Sequence, residues 1–188
     1  MNTYVILLRG INVGGKNKVP MSELKLCLQE LGFTDVSTYI ASGNAFLRSD
    51  RPAGQVQILV EEALPKHFKL DSKLVKVLAL TRQQLQSVVD GRPQGFGDHP
   101  DTYHSDAIFL MDPGVSSADV MPIFQPREGV DTVWPGPGMV YSQRLSAERT
   151  KSRLSKVMES PVYKSMTIRS WQTTMKLLEI LKTIDGRR

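Results

Sequence analysis

The residues best suited to chemistry cluster near the amino terminus, in Arg9-Gly-Ile-Asn12-Val-Gly14-Gly15-Lys16-Asn17-Lys18. Paired glycines let backbone amides curl toward a common point, and the cations beside them favour an anion there. Gly10-x-x-x-x-Gly15-Lys16 matches the first seven positions of a phosphate-binding P-loop. The next position should carry a hydroxyl for magnesium, but it is Asn17. A P-loop helix also begins at the lysine, so that its first amides hold the phosphate. Here Pro20 delays the helix start beyond the lysine, and a residue before proline is pushed out of helical geometry. Both features disfavour a nucleotide-hydrolysing P-loop. What remains is a looser anion-binding loop using Arg9, Asn12, Gly14, Gly15 and Lys16, or else a mobile basic loop without a ligand.

Other residues are candidates for the same anion. Ser42 and Asn44 flank a glycine in Ser42-Gly43-Asn44. Arg149, Lys151, Arg153 and Lys156 alternate with Ser146, Thr150, Ser152 and Ser155. Arg169 is expected near the N-terminus of the last helix, with Thr167 capping amides that favour an anion. Lys151 and Arg169 join the site if the strand order brings them to the first loop.

Asp98, His99, Asp101, His104 and Asp106 are ligand types that suit a divalent metal. No helical pair of histidines is present, however, and the segment reads as a solvated acidic loop ahead of a strand. No metal and no cofactor are assigned. Cys27 shares an apolar helix face and reads as a buried, inert thiol. There is no G-x-S-x-G elbow, and no spacing marks a triad.

These residues need elements to hold them. Residues 3–8 form a β-branched, apolar strand, expected to be central and covered on both faces. Pro20 opens a helix with Met21, Leu24, Leu28 and Leu31 on one face, closed by Gly32. Short strands are expected at 36–41 and 45–48, then a helix through Val56–Leu64 ended or kinked near Pro65. A strand at 74–80 precedes a helix opened by Thr81-Arg-Gln-Gln84, which has capping-box spacing.

Further on, the reading is a strand at 107–111 and a short helix at 116–123 broken by Pro122. Strands at 129–134 and 139–142 follow, with helices at 150–158 and 168–184. In the last helix Trp171, Met175, Leu178 and Leu181 make the apolar stripe, so Trp171 reads as core. The order is β-α-β-β-α-β-α, then β-α-β-β-α-α. The expected fold is α+β, with two ferredoxin-like (split βαβ) halves, 1–94 and 95–188, closely packed or forming one domain. The sheet is expected to be mixed or antiparallel with helices on one face. A doubly wound parallel fold is disfavoured because Ser42-Gly-Asn and Pro135-Gly-Pro-Gly look like hairpin connections.

Three segments resemble the bacterial domain of unknown function 1697 family: Leu7-Leu-Arg-Gly-Ile-Asn-Val-Gly-Gly15, Thr38-Tyr-Ile-Ala-Ser-Gly-Asn44 and Met166-Thr-Ile-Arg-Ser-Trp-Gln-Thr-Thr-Met-Lys-Leu177. The last resembles the family's T-x-R-N-W-x-T-x-x-K-L pattern but has Ser170 where the family usually has Asn. The resemblance covers essentially the whole chain. It implies a fold and a set of motif positions, with no established activity.

At 188 residues, with 40% hydrophobic and 23% charged residues, the chain has ordinary globular composition. No apolar run is long enough for a membrane helix, no export signal precedes Arg9, and one cysteine allows no internal disulfide. A soluble cytoplasmic protein is expected. The net charge of +5 is unevenly spread: residues 1–94 carry +4, 95–143 carry −6 and 144–188 carry +7. The expected partner is therefore a phosphorylated small molecule or a nucleic acid, and not a membrane. The leading reading is a module that binds such a ligand through the Gly-rich basic loop. The alternatives are an enzyme of unknown reaction on a phosphorylated or nucleotide-like substrate, and a protein–protein interaction module. Exposed rings for a single-strand platform are few.

Overall fold

The computed structural model describes residues 1–71 and 75–186. The chain divides into two compact units: residues 1–85 together with the stretch from Leu177, and Gln86–Lys176. Both are α+β. The first contains β1 (Asn2–Arg9), α1 (Met21–Glu30), β2 (Thr34–Tyr39), β3 (Asn44–Ser49), α2 (Ala53–His67) and β4 (Lys76–Thr81). Its sheet runs β2-β3-β1-β4, and every pairing is antiparallel. The strand expected at 74–80 is β4, and Leu74 lies outside the described residues.

β1 is central because its run of buried residues leaves no polar face for water. Ile6 and Leu8 pack with Leu24 and Leu28 of α1 and with Val56, Val60 and Leu64 of α2. Val5 and Leu7 point to the opposite face and are buried as well. The capping box opening α3 (Arg82–Asp90) forms as its spacing implies. Thr81 Oγ1 accepts from the Gln84 amide at 3.2 Å, and Gln84 Oε1 accepts from the Thr81 amide at 2.9 Å.

The second unit contains β5 (Tyr103–Leu110), α4 (Ser117–Phe124), β6 (Asp131–Gly136), β7 (Met139–Leu145) and β8 (Met166–Ser170), with α5 (Trp171–Gly186) starting in it. Its sheet order, β6-β7-β5-β8, is also antiparallel throughout. Ile108, Val140 and Met166 pack on one face with Val120 and Phe124 of α4 and with Leu154 and Val157. Elsewhere in the unit Phe96 lies edge-on to Trp134, Tyr141 and Trp171, with centroids 5.9, 5.2 and 5.0 Å away. Trp171 is core. Tyr141 is fully buried, and its hydroxyl donates to the Val88 carbonyl at 2.6 Å.

The helix through Val56–Leu64 ends at His67, near Pro65 as expected. Three expectations need correction. Pro122 does not break its helix, because it stands in the last turn, where the forfeited bond lies at a fraying end. Residues 150–158 are not an α-helix. Three 3-10 segments, Ser146–Lys151, Leu154–Glu159 and Pro161–Ser165, fill that stretch. Its buried apolar residues, Leu154 and Val157, are three apart, a spacing that a 3-10 turn eclipses on one face. Finally, β8 occupies the start of the expected last helix. Its buried residues include Thr167 and Arg169 while Ile168 is exposed, so no apolar alternation announces it. Among the described residues no helix is long and apolar enough to cross a membrane.

Burial pushes the Tyr141 phenol up to about 12. The unfolded phenol ionises near ~10, so this contribution to stability is complete below that pH and is lost as pH rises through the native value. Tyr141→Phe should remove this alkaline dependence and cost about 1–2 kcal/mol by leaving the Val88 carbonyl unpaired. Urea unfolding at neutral pH and at pH 10–11 checks both effects.

Candidate functional site

Beyond β1 the chain makes a miniature hairpin. The Asn12 amide donates to the Asn17 carbonyl at 3.1 Å and the Lys16 amide to the Val13 carbonyl at 3.0 Å. This closes a two-residue turn on Gly14 and Gly15, whose φ values are 57° and 77°. Two positive φ angles are what a type I′ hairpin turn demands, so the glycines first of all serve the turn. Both are exposed, and among the described residues neither amide has a partner.

Asparagine side chains fix the base of the hairpin. Asn12 Nδ2 donates to the Val19 and Ala41 carbonyls, both at 2.9 Å, and Asn12 Oδ1 accepts from the Val19 amide at 2.8 Å. Asn17 Nδ2 donates to the Gly10 carbonyl at 2.7 Å, and the Asn17 amide donates to Asp71 Oδ2 at 2.7 Å. Asn12 and Asn17 sit at φ 54° and 47°, which short amide side chains tolerate better than most.

The segment between β2 and β3 docks onto this hairpin. The Leu8 amide donates to the Gly43 carbonyl at 2.8 Å. A Cβ on Gly43 would lie 3.0 Å from Ile11 Cδ1 and 3.1 Å from Leu8 Cβ, so only glycine permits the approach. Asn44 is fully buried, and its Nδ2 donates to the Tyr39 carbonyl and to Ser42 Oγ. Ile40 is held at φ 50°, a rare conformation for a β-branched residue, with its side chain 49% exposed. No sequence signal marks that strain.

The fold thus brings Arg9, Asn12, Gly14, Gly15, Lys16, Ser42 and Asn44 together in one unit. Their roles differ. The donors of Asn12 and Asn44 are spent on the two loops. Lys16 and Lys18 are exposed and make no ion pair among the described residues. Arg9 is half-buried at the end of β1, opposite Lys76 of β4. Ser42 is exposed. Asp71 brings a carboxylate to the loop at the Asn17 amide.

Lys151 and Arg169 belong to the second unit. Lys151 Nζ lies 2.7 Å from Glu148. Arg169 is on β8, two residues before α5 begins, and is buried; its Nη1 donates to Thr167 Oγ1 and to the Ile168 carbonyl, both at 2.9 Å. Burial pulls its guanidinium down to about 10. Thr167 therefore does not cap the last helix. Ser170 does, its Oγ accepting from the Thr173 amide at 3.2 Å. Serine and asparagine are comparable N-caps, so the departure from the family's usual residue preserves this contact.

His104 and Asp106 are two apart on β5 and share a face. His104 Nε2 lies 3.1 Å from both carboxylate oxygens of Asp106. Burial pushes the Asp106 carboxyl up, opposed by His104 and then Arg144. Among the described residues no group of three or more His, Cys, Asp or Glu side chains could hold a metal ion. β5 extends past its last β8 pair, Asp106 with Ser170, and the gap opens a cavity of about 220 Å³. Residues 103–105, residues 170–172, Gly97 and Pro100 line it. The Cys27 thiol is buried and pushed up, chiefly by desolvation, as suits an inert group.

The molecule is thus an α+β protein of two antiparallel four-stranded sheets, with a glycine-turned basic loop braced by asparagines. The family model described as Protein of unknown function (DUF1697) matches residues 1–141, and the chain belongs to that family. The match takes in both loops of the first unit, while residues 166–177 lie beyond it. Among solved structures, the chain is similar to the conserved bacterial protein SP0830 from Streptococcus pneumoniae, with 25% identity and a TM-score of 0.76. That similarity covers 96% of this chain and 98% of the other. None of the curated proteins compared with the chain matches it.

Asn12→Ala removes three hydrogen bonds and a residue suited to positive φ. It should destabilise the protein by roughly 2–3 kcal/mol and release the hairpin. Faster hydrogen exchange at the Val19 amide, with a lower urea midpoint, is the expected readout.

Proposed function

We propose that the first unit is a ferredoxin-like binding module for a ligand that carries a phosphate group, either a phosphorylated small molecule or a nucleic-acid backbone. The β-α-β-β-α-β order and the strand sequence β2-β3-β1-β4 support the ferredoxin-like reading. The same strand pattern, β6-β7-β5-β8, supports it for the second unit. The observation that carries the functional reading is the hairpin tip. Two exposed amides without a partner among the described residues stand beside the exposed cations Lys16 and Lys18. Amides and ammonium groups are the donors that phosphate oxygens accept from.

The rest of the surface suits this role. Ser42 presents a hydroxyl from the docked second loop. Because asparagine bonds brace both loops, little loop ordering remains to oppose binding. The buried, unpaired Cys27 fits a reducing compartment, so we place the protein in the cytoplasm.

Titration of ¹⁵N-labelled protein with inorganic phosphate and with a short single-stranded oligonucleotide tests the reading. The largest amide shifts should fall on Gly14, Gly15 and Lys16, and affinity should drop steeply with added salt. The double variant Lys16→Ala/Lys18→Ala should weaken binding about tenfold, from two contacts of roughly 0.7 kcal/mol each. An unchanged affinity in that variant, or shifts confined to other surfaces, rejects the proposal.

A further inference from the structure

We infer that the cavity of the second unit is a separate catalytic site, in which His104 acts as general base toward water or a hydroxyl group for a small uncharged acyl substrate. The inference stands on different residues from the phosphate-binding surface and does not depend on it.

The His104–Asp106 pair gives the cavity its chemistry. Asp106 faces its neighbour at 3.1 Å, with its side chain 17% exposed against 45% for His104. A carboxylate only accepts, so it holds the proton on Nε2 and leaves Nδ1 with a lone pair. His104 has no other partner among the described residues, and it is one of the residues that line the cavity. A base held in one tautomer by a second group is the arrangement that general-base catalysis uses. The charged groups around it are Asp106 on its own strand, Arg144 directly opposite on β7, and Asp131 opposite Arg144 on β6.

The walls define the substrate. At about 220 Å³ the cavity holds roughly seven waters' worth of volume and lies below the ~300 Å³ at which drug-sized sites begin. Among the described residues no Lys, Arg, Asp or Glu lines it, so nothing there matches a charged substrate. Gln172 supplies a group to orient a carbonyl compound, while Ser105 alternates to the other face of β5 from His104 and accepts from Gln143 Nε2 at 3.1 Å. Ser170 is not the nucleophile, because its hydroxyl is committed to Thr173 as donor and acceptor. The attacking group is therefore water or a hydroxyl of a second molecule. Its O–H proton passes to Nδ1 while its oxygen bonds to the acyl carbon. The bond from that carbon to the leaving oxygen breaks, and the imidazolium returns the proton to the leaving group.

p-Nitrophenyl acetate serves as the probe, since its acetyl group fits the volume and its hydrolysis is read by colour. The chain has three histidines, so the source of any activity is assignable. Hydrolysis by the full-length protein should saturate with substrate and fall about a hundredfold in His104→Gln, while His67→Gln and His99→Gln keep the wild-type rate. Asp106 is a positioning residue. Asp106→Asn should lower the rate and remove the Nε2–H signature of His104 in long-range ¹H–¹⁵N spectra. Saturable hydrolysis that survives in folded His104→Gln overturns the inference, as does a rate that tracks His67 or His99. Absence of protein-dependent hydrolysis also overturns it. So does an Nδ1–H tautomer at His104 in the wild-type protein, a measurement that needs no variant to fold.

Discussion

One side chain holds the surface of the first unit together. Asn12 bonds both the N–H and the C=O of Val19, as a neighbouring strand would, and its second amide hydrogen reaches Ala41. Three chain segments meet at this amide: the hairpin, the entry to α1 and the link between β2 and β3. Aspartate lacks the two donors, and a longer side chain would not fit the same positive φ and reach. Tying the loops costs about one strained backbone at Asn12 and another at Ile40, each of order 1–3 kcal/mol. The hydrogen bonds offset that cost.

This changes what the glycines mean. A pair of glycines beside lysines suggests a phosphate cradle, yet Gly14 and Gly15 are required by a two-residue turn whatever the ligand. Their outward amides are a consequence of that turn, because the hairpin bonds are made by Asn12 and Lys16 and leave the tip unsatisfied. A turn that must exist for structural reasons therefore leaves two donors exposed beside two cations.

Local signals in the chain were readable where one residue type did one job. The apolar run of β1, Pro20 before α1 and the box from Thr81 to Gln84 appear in the structure near their expected positions, whereas the break expected over Pro135-Gly-Pro-Gly138 narrows to Pro137-Gly138 because β6 runs on to Gly136. β8 was not readable, because its buried residues include Thr167 and Arg169 and its exposed one is Ile168. Arg169 stands near the N-terminus of α5 as expected, but on this strand and not in the helix. The bond between Asn12 and Ala41 spans 29 residues and leaves no local pattern, so the bracing role of Asn12 is not legible in the sequence. His104 and Asp106 were visible as potential ligands. Their separation of two becomes meaningful only once the stretch is known to be a strand.

The two units reuse one strand order for surfaces of opposite character. In the first, the end of the central strand opens into a projecting turn, and the available groups are donors and cations. In the second, the central strand β5 outruns its neighbour β8, and the available group is an imidazole beside a carboxylate. A strand that ends beside its neighbours leaves room only for its connecting loop. A strand that outruns a neighbour exposes side chains and backbone that the sheet would otherwise cover. The first geometry can grip a group from outside, whereas the second offers a partly open recess beside the strand end.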